Sequence, residues 1–350
     1  ITTHTGTSEG NLRFFVKTDQ ANQYDFSATC TTGQTLYYRI IDAEKHWVSI
    51  VAPNNDTWDY GWNGFTKPAG NITLPETVTH NDISYTVKEI GNCAFSLCDG
   101  LTGSLSIPNS VTSIGQKAFM RCSGFTGSLI IPNSVAIIGG YAFYGCPSLT
   151  GLLTIGSSVT SIGEYAFEEL GLYYRTSSST WYEPGNSRVK VSSQLKHMAN
   201  TAFTRSNVHS FDVGEIDVLF SIDNWAALNP FDCYYFFLQQ DGGITYDLNV
   251  PEAVNPIPPY AVNNARLSTV TIPATVTNIG EYAFYNCHAI NDVKFPSSYQ
   301  VGLGKAAFAV DQGTGSLCSL TTFNFPLIKD FESAAITSGS KTPYSPDSRM

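Results

Sequence analysis

Charge is scarce in this chain: Asp, Glu, Lys and Arg make up 14% of its 350 residues, against roughly a quarter in an ordinary soluble domain. The formal net charge is -10 and no basic cluster occurs, which argues against nucleic acid or an anionic membrane surface as a partner. No apolar run reaches the roughly 18 residues needed to span a bilayer, so the chain is not expected to cross a membrane. The six histidines, His4, His46, His80, His197, His209 and His288, show no metal-ligand spacing. A C-x-x-C pair, a G-x-S-x-G elbow, a calcium loop and a phosphate loop are all missing. No metal, cofactor or catalytic residue is therefore expected. Ser, Thr, Asn and Gly supply the polarity that charge does not, as on a surface of stacked strands with hydroxyl and amide rows.

What the chain does have is a period. Ala94-Phe95, Ala118-Phe119, Ala142-Phe143 and Ala166-Phe167 recur at a step of 24 residues, and fixed-period self-similarity marks a repeat architecture. The surrounding text repeats too: Leu105-Ser-Ile107-Pro108-Asn-Ser-Val111-Thr-Ser-Ile114-Gly115, then Leu129 to Gly139, then Leu153 to Gly163. Leu and Ile two apart fit a short strand with one inward face, and the Pro that follows lacks the N–H to continue a ladder. Val111 and Ile114 begin a second extended run that ends at Gly115, where the glycine suggests a positive φ. Ala118, Phe119 and Cys122 then fit a short helical or 3-10 turn. Such a coil cannot bury its own Phe and must stack on a neighbour, at about 4.8 Å per coil. The fold class expected is a repeat solenoid, rich in β-structure.

Taken in order, residues 1–23 read as a linker or frayed terminus. Residues 24–71 read as a β-rich N-terminal cap, with Leu36–Ile41 and Trp47–Val51 strand-like. The repeat array is expected over 72–336, with a longer first coil between Val78 and Val87. After Phe167 the register resumes only at Ala202-Phe203, 36 residues on, which is 24 plus 12. The extra segment, about 171–188, reads as an inserted loop on one edge. A degenerate stretch of about 214–249 holds a hairpin expected from Tyr235–Leu238 and Ile244–Leu248. Coils return with landmarks Ala261, Ala283 and Ala307, a degenerate last coil spans Phe325 to Ala335, and 337–350 read as a disordered tail.

Of the eight cysteines, Cys98, Cys122, Cys146 and Cys287 each follow a landmark Ala by four residues, so they are read as small buried hydrophobes in reduced form. Cys30, Cys93, Cys233 and Cys318 fall outside that column, and one disulfide among them stays open. Gly302-Leu-Gly304-Lys-Ala-Ala307 imitates a dinucleotide fingerprint, but here it is the I-G-x-x-A-F corner of a coil. Glu168-Glu169 lacks the opposed geometry of a glycosidase pair, because adjacent residues diverge.

The unit I-P-x-S-V-x-x-I-G-x-x-A-F-x-x-C, plainest at Ile107–Cys122 and Ile272–Cys287, resembles the BspA-type leucine-rich repeat of bacterial surface proteins. The likeness runs from Ile72 to Ala335, with Gly156 for Pro, Ala199 for Gly and Val262 for Phe as departures. The resemblance implies a right-handed β-α superhelix, export to the surface of Bacteroides-type anaerobes or secretion, and adhesive binding of a host protein or glycan. It supplies no catalytic or ligand motif. The chain begins with Ile1 and not Met, so a leader cleaved or left out ahead of it is the expectation, and the lack of a visible signal peptide says little about compartment.

The surface feature that stands out is aromatic: Tyr173, Tyr174, Trp181 and Tyr182 lie within the inserted loop. Such rings offer stiff contact area with a polar handle, and these four residues are the expected ligand-binding positions. The bland alternative is that they fold back over the broken register. The expectation is thus a non-enzymatic, monomeric surface binder. The rivals are a spacer or stalk presenting another domain, and a glycan- or peptide-acting hydrolase.

Overall fold

The computed structural model describes residues 24–54, 61–171, 188–190, 194–199, 201–203, 206, 210–212, 220, 237–240, 243–262, 265–287, 289–296, 300–309, 322–323 and 327–331. Every element whose bounds it describes is a strand.

The chain opens with β1 (Phe26–Thr29), β2 (Thr35–Asp42) and β3 (Trp47–Val51), an antiparallel meander matching the two strand readings made above. The lengthened first coil is a hairpin of β4 (Thr77–His80) and β5 (Ile83–Ile90). Strand β3 then pairs with β5 in parallel, and from there the coils add short strands in two sets. One set is β6 (Ser113–Ile114), β8 (Ile137–Ile138), β10 (Ser161–Ile162) and β12 (His197–Met198), which continues the sheet of β5 in parallel. The other is β7 (Leu129–Ile130), β9 (Leu153–Thr154), β11 (Arg188–Lys190) and β13 (Ser210–Asp212), a second parallel sheet.

The sequence step becomes the register. Ser113 faces Ile137 and Ile137 faces Ser161, each pair 24 residues apart, so equal positions of successive coils lie side by side. Across the insertion Ser161 faces His197, and Leu153 faces Val189. The extra residues change neither row.

The hairpin after the degenerate stretch is β14 (Phe237–Gln240) with β15 (Gly243–Thr245), its first strand two residues later than expected and its second ending at Thr245, since the expected Leu248 lies in the next strand, which joins another sheet. A further set follows in parallel order: β16 (Asp247–Asn249), β17 (Thr269–Thr271), β19 (Asp292–Lys294) and β21 (Thr322–Phe323). Beside it run β18 (Asn278–Ile279), β20 (Gln300–Leu303) and β22 (Leu327–Phe331).

Between the sheets the repeat positions form one core running from Phe26 to Phe308. Val111, Val135 and Val159 are fully buried, as are the landmark Ala and Phe of each of those coils. The rings of Phe95, Phe119, Phe143, Phe167 and Phe203 stack in a column with centroids 5.2, 5.3, 5.6 and 5.1 Å apart. The reduced thiols of Cys98, Cys122 and Cys146 are buried in the same coils, and that of Cys287 is buried beside Phe284, donating to Val262 O at 3.1 Å. The Cys122 thiol donates to the Phe95 carbonyl at 3.1 Å and the Cys146 thiol to that of Phe119 at 3.3 Å. Cys30 and Cys93 are also reduced and buried, and neither joins a disulfide. Cys233 and Cys318 lie outside the described residues.

Two expectations need correction. The A-F corner is not a helical or 3-10 turn but a run of β-turns. The amides of Ala118, Met120 and Cys122 bond back to Gly115, Lys117 and Phe119, while those of Lys117, Phe119 and Arg121 donate to Gly140, Ala142 and Tyr144 of the next coil. Lys117 and Arg121 have φ of 59° and 58°, the left-handed value at the third position of a type II turn, and such residues interrupt a right-handed helix. The corner thus satisfies alternate amides locally and across coils. Gly115, for its part, does not have a positive φ. A Cβ there would sit 2.6 Å from Asn92 N and 2.7 Å from Gly91 C, so this glycine serves the close approach of two coils.

The first corner needs its own terminator. The carbonyls of Ala118, Ala142, Ala166 and Ala202 each accept the Phe amide of the coil before, but among the described residues no such coil precedes Ala94. The buried Trp62 fills that role, its Nε1–H donating to Ala94 O at 3.2 Å.

Candidate binding surface

The corner column that precedes the landmark Ala reads Cys93, Lys117, Tyr141, Tyr165 in the first array and Tyr260, Tyr282, Ala306 in the second. These residues share the left-handed backbone, with φ between 52° and 59°, which swings their side chains to the outside of the turn. A second column, two places after the landmark, brings Met120, Tyr144 and Glu168, then Tyr285 and Ala309. Where both columns carry rings, the rings meet.

Tyr141 lies 4.9 Å from Tyr165 in the next coil and makes an edge contact with Tyr144 at 5.7 Å. The same arrangement recurs in the second array, where Tyr260 stacks on Tyr282 at 5.2 Å and Tyr282 meets Tyr285 edge-on at 5.3 Å. Tyr282, Tyr285, Ala306 and Ala309 form a small apolar cluster apart from the main core. Lys117 Nζ lies 5.6 Å from the Tyr141 centroid, Arg121 Cζ 5.8 Å from that of Tyr144, and Lys305 Nζ 5.9 Å from that of Tyr282. These distances suit cation–π attraction. Each tyrosine edge therefore has a cation at one end, and Tyr141, Tyr144 and Tyr260 stay half-buried while Tyr165 and Tyr282 are buried.

Glycines shape one coil of this edge. Gly140 and Gly145 bracket Tyr141 and Tyr144, where the neighbouring coils carry Gln116 with Arg121 on one side and Glu164 with Glu169 on the other. A Cβ at Gly145 would lie 3.1 Å from Arg121 Cγ and 3.9 Å from Glu169 Oε2. One at Gly140 would lie 3.1 Å from Glu164 O and 3.9 Å from Gln116 Nε2. Bare backbone at these two points lets polar groups of both neighbouring coils close in around the phenols.

Tyr173, Tyr174, Trp181 and Tyr182 lie outside the described residues. Glu168 and Glu169 diverge as expected, Glu168 being buried and Glu169 half-exposed with φ 58°. His197 is exposed on β12, and His288 lies outside the described residues. Among the described residues no group of three or more His, Cys, Asp or Glu is placed to hold a metal. The Gly302–Ala307 segment is the end of β20 followed by turns, with Gly304 so close to Glu281 N that a Cβ would come within 2.5 Å. That is a coil corner rather than a nucleotide loop. Sequence reading passed over the tyrosine edge, although its signal was present: Tyr directly precedes the landmark Ala at 141, 165, 260 and 282.

A family model, the BspA type leucine rich repeat region, matches in six copies over residues 75–186, 127–226 and 243–340. The chain belongs to the BspA-type leucine-rich repeat family. Both tyrosine edges of this BspA-type chain fall inside the matched segments, whereas β1, β2 and β3 precede them. A leucine rich cell surface protein from Faecalibacterium prausnitzii is 18% identical, with 91% of this chain and 99% of that chain covered at a TM-score of 0.33. A leucine-rich repeat protein from Bacteroides ovatus is 17% identical over 88% and 100% of the two chains, with a TM-score of 0.30. The pneumococcal vaccine antigen PcpA is 16% identical over 81% and 73%, with a TM-score of 0.40. No curated protein matches the chain. No helix among the described residues is long and apolar enough to cross a membrane.

Proposed function

We propose that this BspA-type chain is an exported, surface-attached or secreted binding protein, a right-handed solenoid that holds a host protein or glycan by contact rather than by turnover. Membership of the family supports the adhesive role. The single observation that carries the placement is the half-exposed pair Tyr141 and Tyr144, flanked by Lys117 and Arg121 on one coil and by Tyr165 on the next. Aromatic and Arg side chains dominate contact energetics because they bury large stiff areas and keep a polar tip. A corner edge also suits contact because its side chains do not carry the core. The loop residues Tyr173, Tyr174, Trp181 and Tyr182 are proposed as a further contact region on the same array.

The test uses beads coated with the whole chain, applied to cultured epithelial cells. Tyr141→Ala with Tyr144→Ala should cut bead retention several-fold at an unchanged far-UV spectrum, and Trp181→Ala with Tyr182→Ala should do so if the loop contributes. Retention that ignores both double substitutions overturns the reading. A chain that retains no beads before any substitution is behaving as a spacer.

A further inference from the structure

We infer that the Tyr141–Tyr144 coil is a carbohydrate site, holding one or two neutral sugar units; this rests on the binding role proposed above and names its ligand class. The first ground is the glycine pair. Among the four coils with landmarks Ala94 to Ala166, only this one has Gly at both outward positions, and those positions flank the two half-exposed phenols. In the equivalent places of the second array stand Glu281 and Asn286 around Tyr282 and Tyr285. There both rings are buried, so the motif is present but closed.

The second ground is what the bare backbone admits. Gln116 Nε2 reaches the Gly140 side, and the Arg121 stem with Glu169 Oε2 reaches the Gly145 side. Amide and carboxylate groups therefore approach beside the Tyr144 ring, which has the Arg121 guanidinium over one face and Tyr141 at its edge. A sugar presents apolar C–H faces and a ring of hydroxyls that both donate and accept. A phenol floor suits the first, and a rim mixing donors with carboxylate acceptors suits the second.

Charge and size separate this class from others. Lys117 and Arg121 stand on one neighbouring coil and Glu164, Glu168 and Glu169 on the other, two cations against three carboxylates, so the rim carries no cationic excess. An acidic ligand would meet more repulsion than attraction there. Three coils span about 10 Å at the spacing of parallel strands, which accommodates a sugar ring or two. A stable protein partner would need roughly 800 Å² on its side.

Saturation-transfer NMR on the whole chain tests the site with methyl β-galactoside, methyl α-mannoside and N-acetylglucosamine as neutral probes, and N-acetylneuraminic acid as the anionic comparison. At least one neutral probe should be saturated. Gly145→Asn fills the site while keeping a residue that tolerates φ > 0, and Tyr144→Ala removes the floor. Each should weaken the response about tenfold, the scale of a contact anchor, while Lys305→Ala in the second array should leave it unchanged. Saturation of none of the neutral probes, a preference for the anionic one, or an undiminished response in Tyr144→Ala overturns the inference, and Tyr144→Ala decides it even if Gly145→Asn fails to fold. Periodate treatment of the epithelial cells separates the two levels. If bead retention needs Tyr141 and Tyr144 yet survives periodate, the sugar site falls and the binding role stands; if retention ignores both tyrosines, the binding role itself falls.

Discussion

Gly115 and Lys117 stand two residues apart in one corner and obey opposite constraints. Gly115 has an ordinary φ but no room, since a Cβ would come within 2.7 Å of Asn92 N, Asn92 Oδ1 and Gly91 C. Lys117 has room but a left-handed φ of 59°, which costs a residue with a Cβ about 1–2 kcal/mol. The usual inference from glycine to positive φ is therefore inverted here. Gly115→Ala should destabilise by about 1–3 kcal/mol, as overpacking does, because the atoms in the way are mostly backbone and cannot yield. Lys117→Gly should be neutral or stabilise by up to about 1 kcal/mol, since relief of φ strain is offset by extra freedom in the unfolded chain. Urea melts of the two variants decide it. A tolerated Gly115→Ala together with a damaging Lys117→Gly would mean the roles are reversed.

At the scale of an element, the thiol column shows what a repeat does to chemistry. Burial pushes the Cys98 and Cys146 thiols up from an ordinary 9.0 to about 12. Burial also drives Cys122 well above its usual value, helped by the neighbouring thiols of Cys146 and Cys98. Because the folded values exceed the unfolded ones, the folded chain keeps these protons after the unfolded chain has released them. Stability is thus fully present below pH 9 and should fall between about pH 9 and 12, by up to about 1.4 kcal/mol per pH unit for each thiol. Replacing Cys98, Cys122 and Cys146 by Ala should lower stability at pH 7 but flatten its decline above pH 9. An equally steep decline in that variant, followed by denaturant melts across the range, would assign the alkaline loss to other groups. The column's reduced state was legible in the sequence, because equal places in successive coils set sulfurs side by side rather than opposed. The strands were legible for a similar reason, Leu129 and Ile131 alternating before Pro132. The β-turn corner was not, since Ala118, Phe119 and Cys122 have the spacing of a helical turn and nothing in a Lys or Arg announces a left-handed φ. The tyrosine edge was missed because a ring beside a landmark Ala reads as more core, and only the reversed φ turns it outward.

For the whole molecule, the consequence of stacking is that stability should be passed between neighbours and no further. Phe119 is sandwiched between Phe95 and Phe143 at 5.2 and 5.3 Å, whereas Phe284 stacks on Phe308 at 4.9 Å in the other array. Phe119→Ala should cost about 3–5 kcal/mol, the loss expected for a fully buried aromatic. Once Phe119 is gone, Phe143 has lost one of its two faces, so Phe143→Ala has less left to remove. The double variant should then cost less than the sum of the singles, with a coupling of about 0.5–3 kcal/mol. Phe119→Ala combined with Phe284→Ala shares no ring contact and should add to within about 0.5 kcal/mol. That contrast is the signature of a chain in which each repeat contacts only its neighbours. Urea unfolding of the three single and two double variants against the parent measures both couplings. Equal coupling in the two pairs would mean that the arrays unfold as one rigid unit, and the nearest-neighbour account of this molecule would have to be given up.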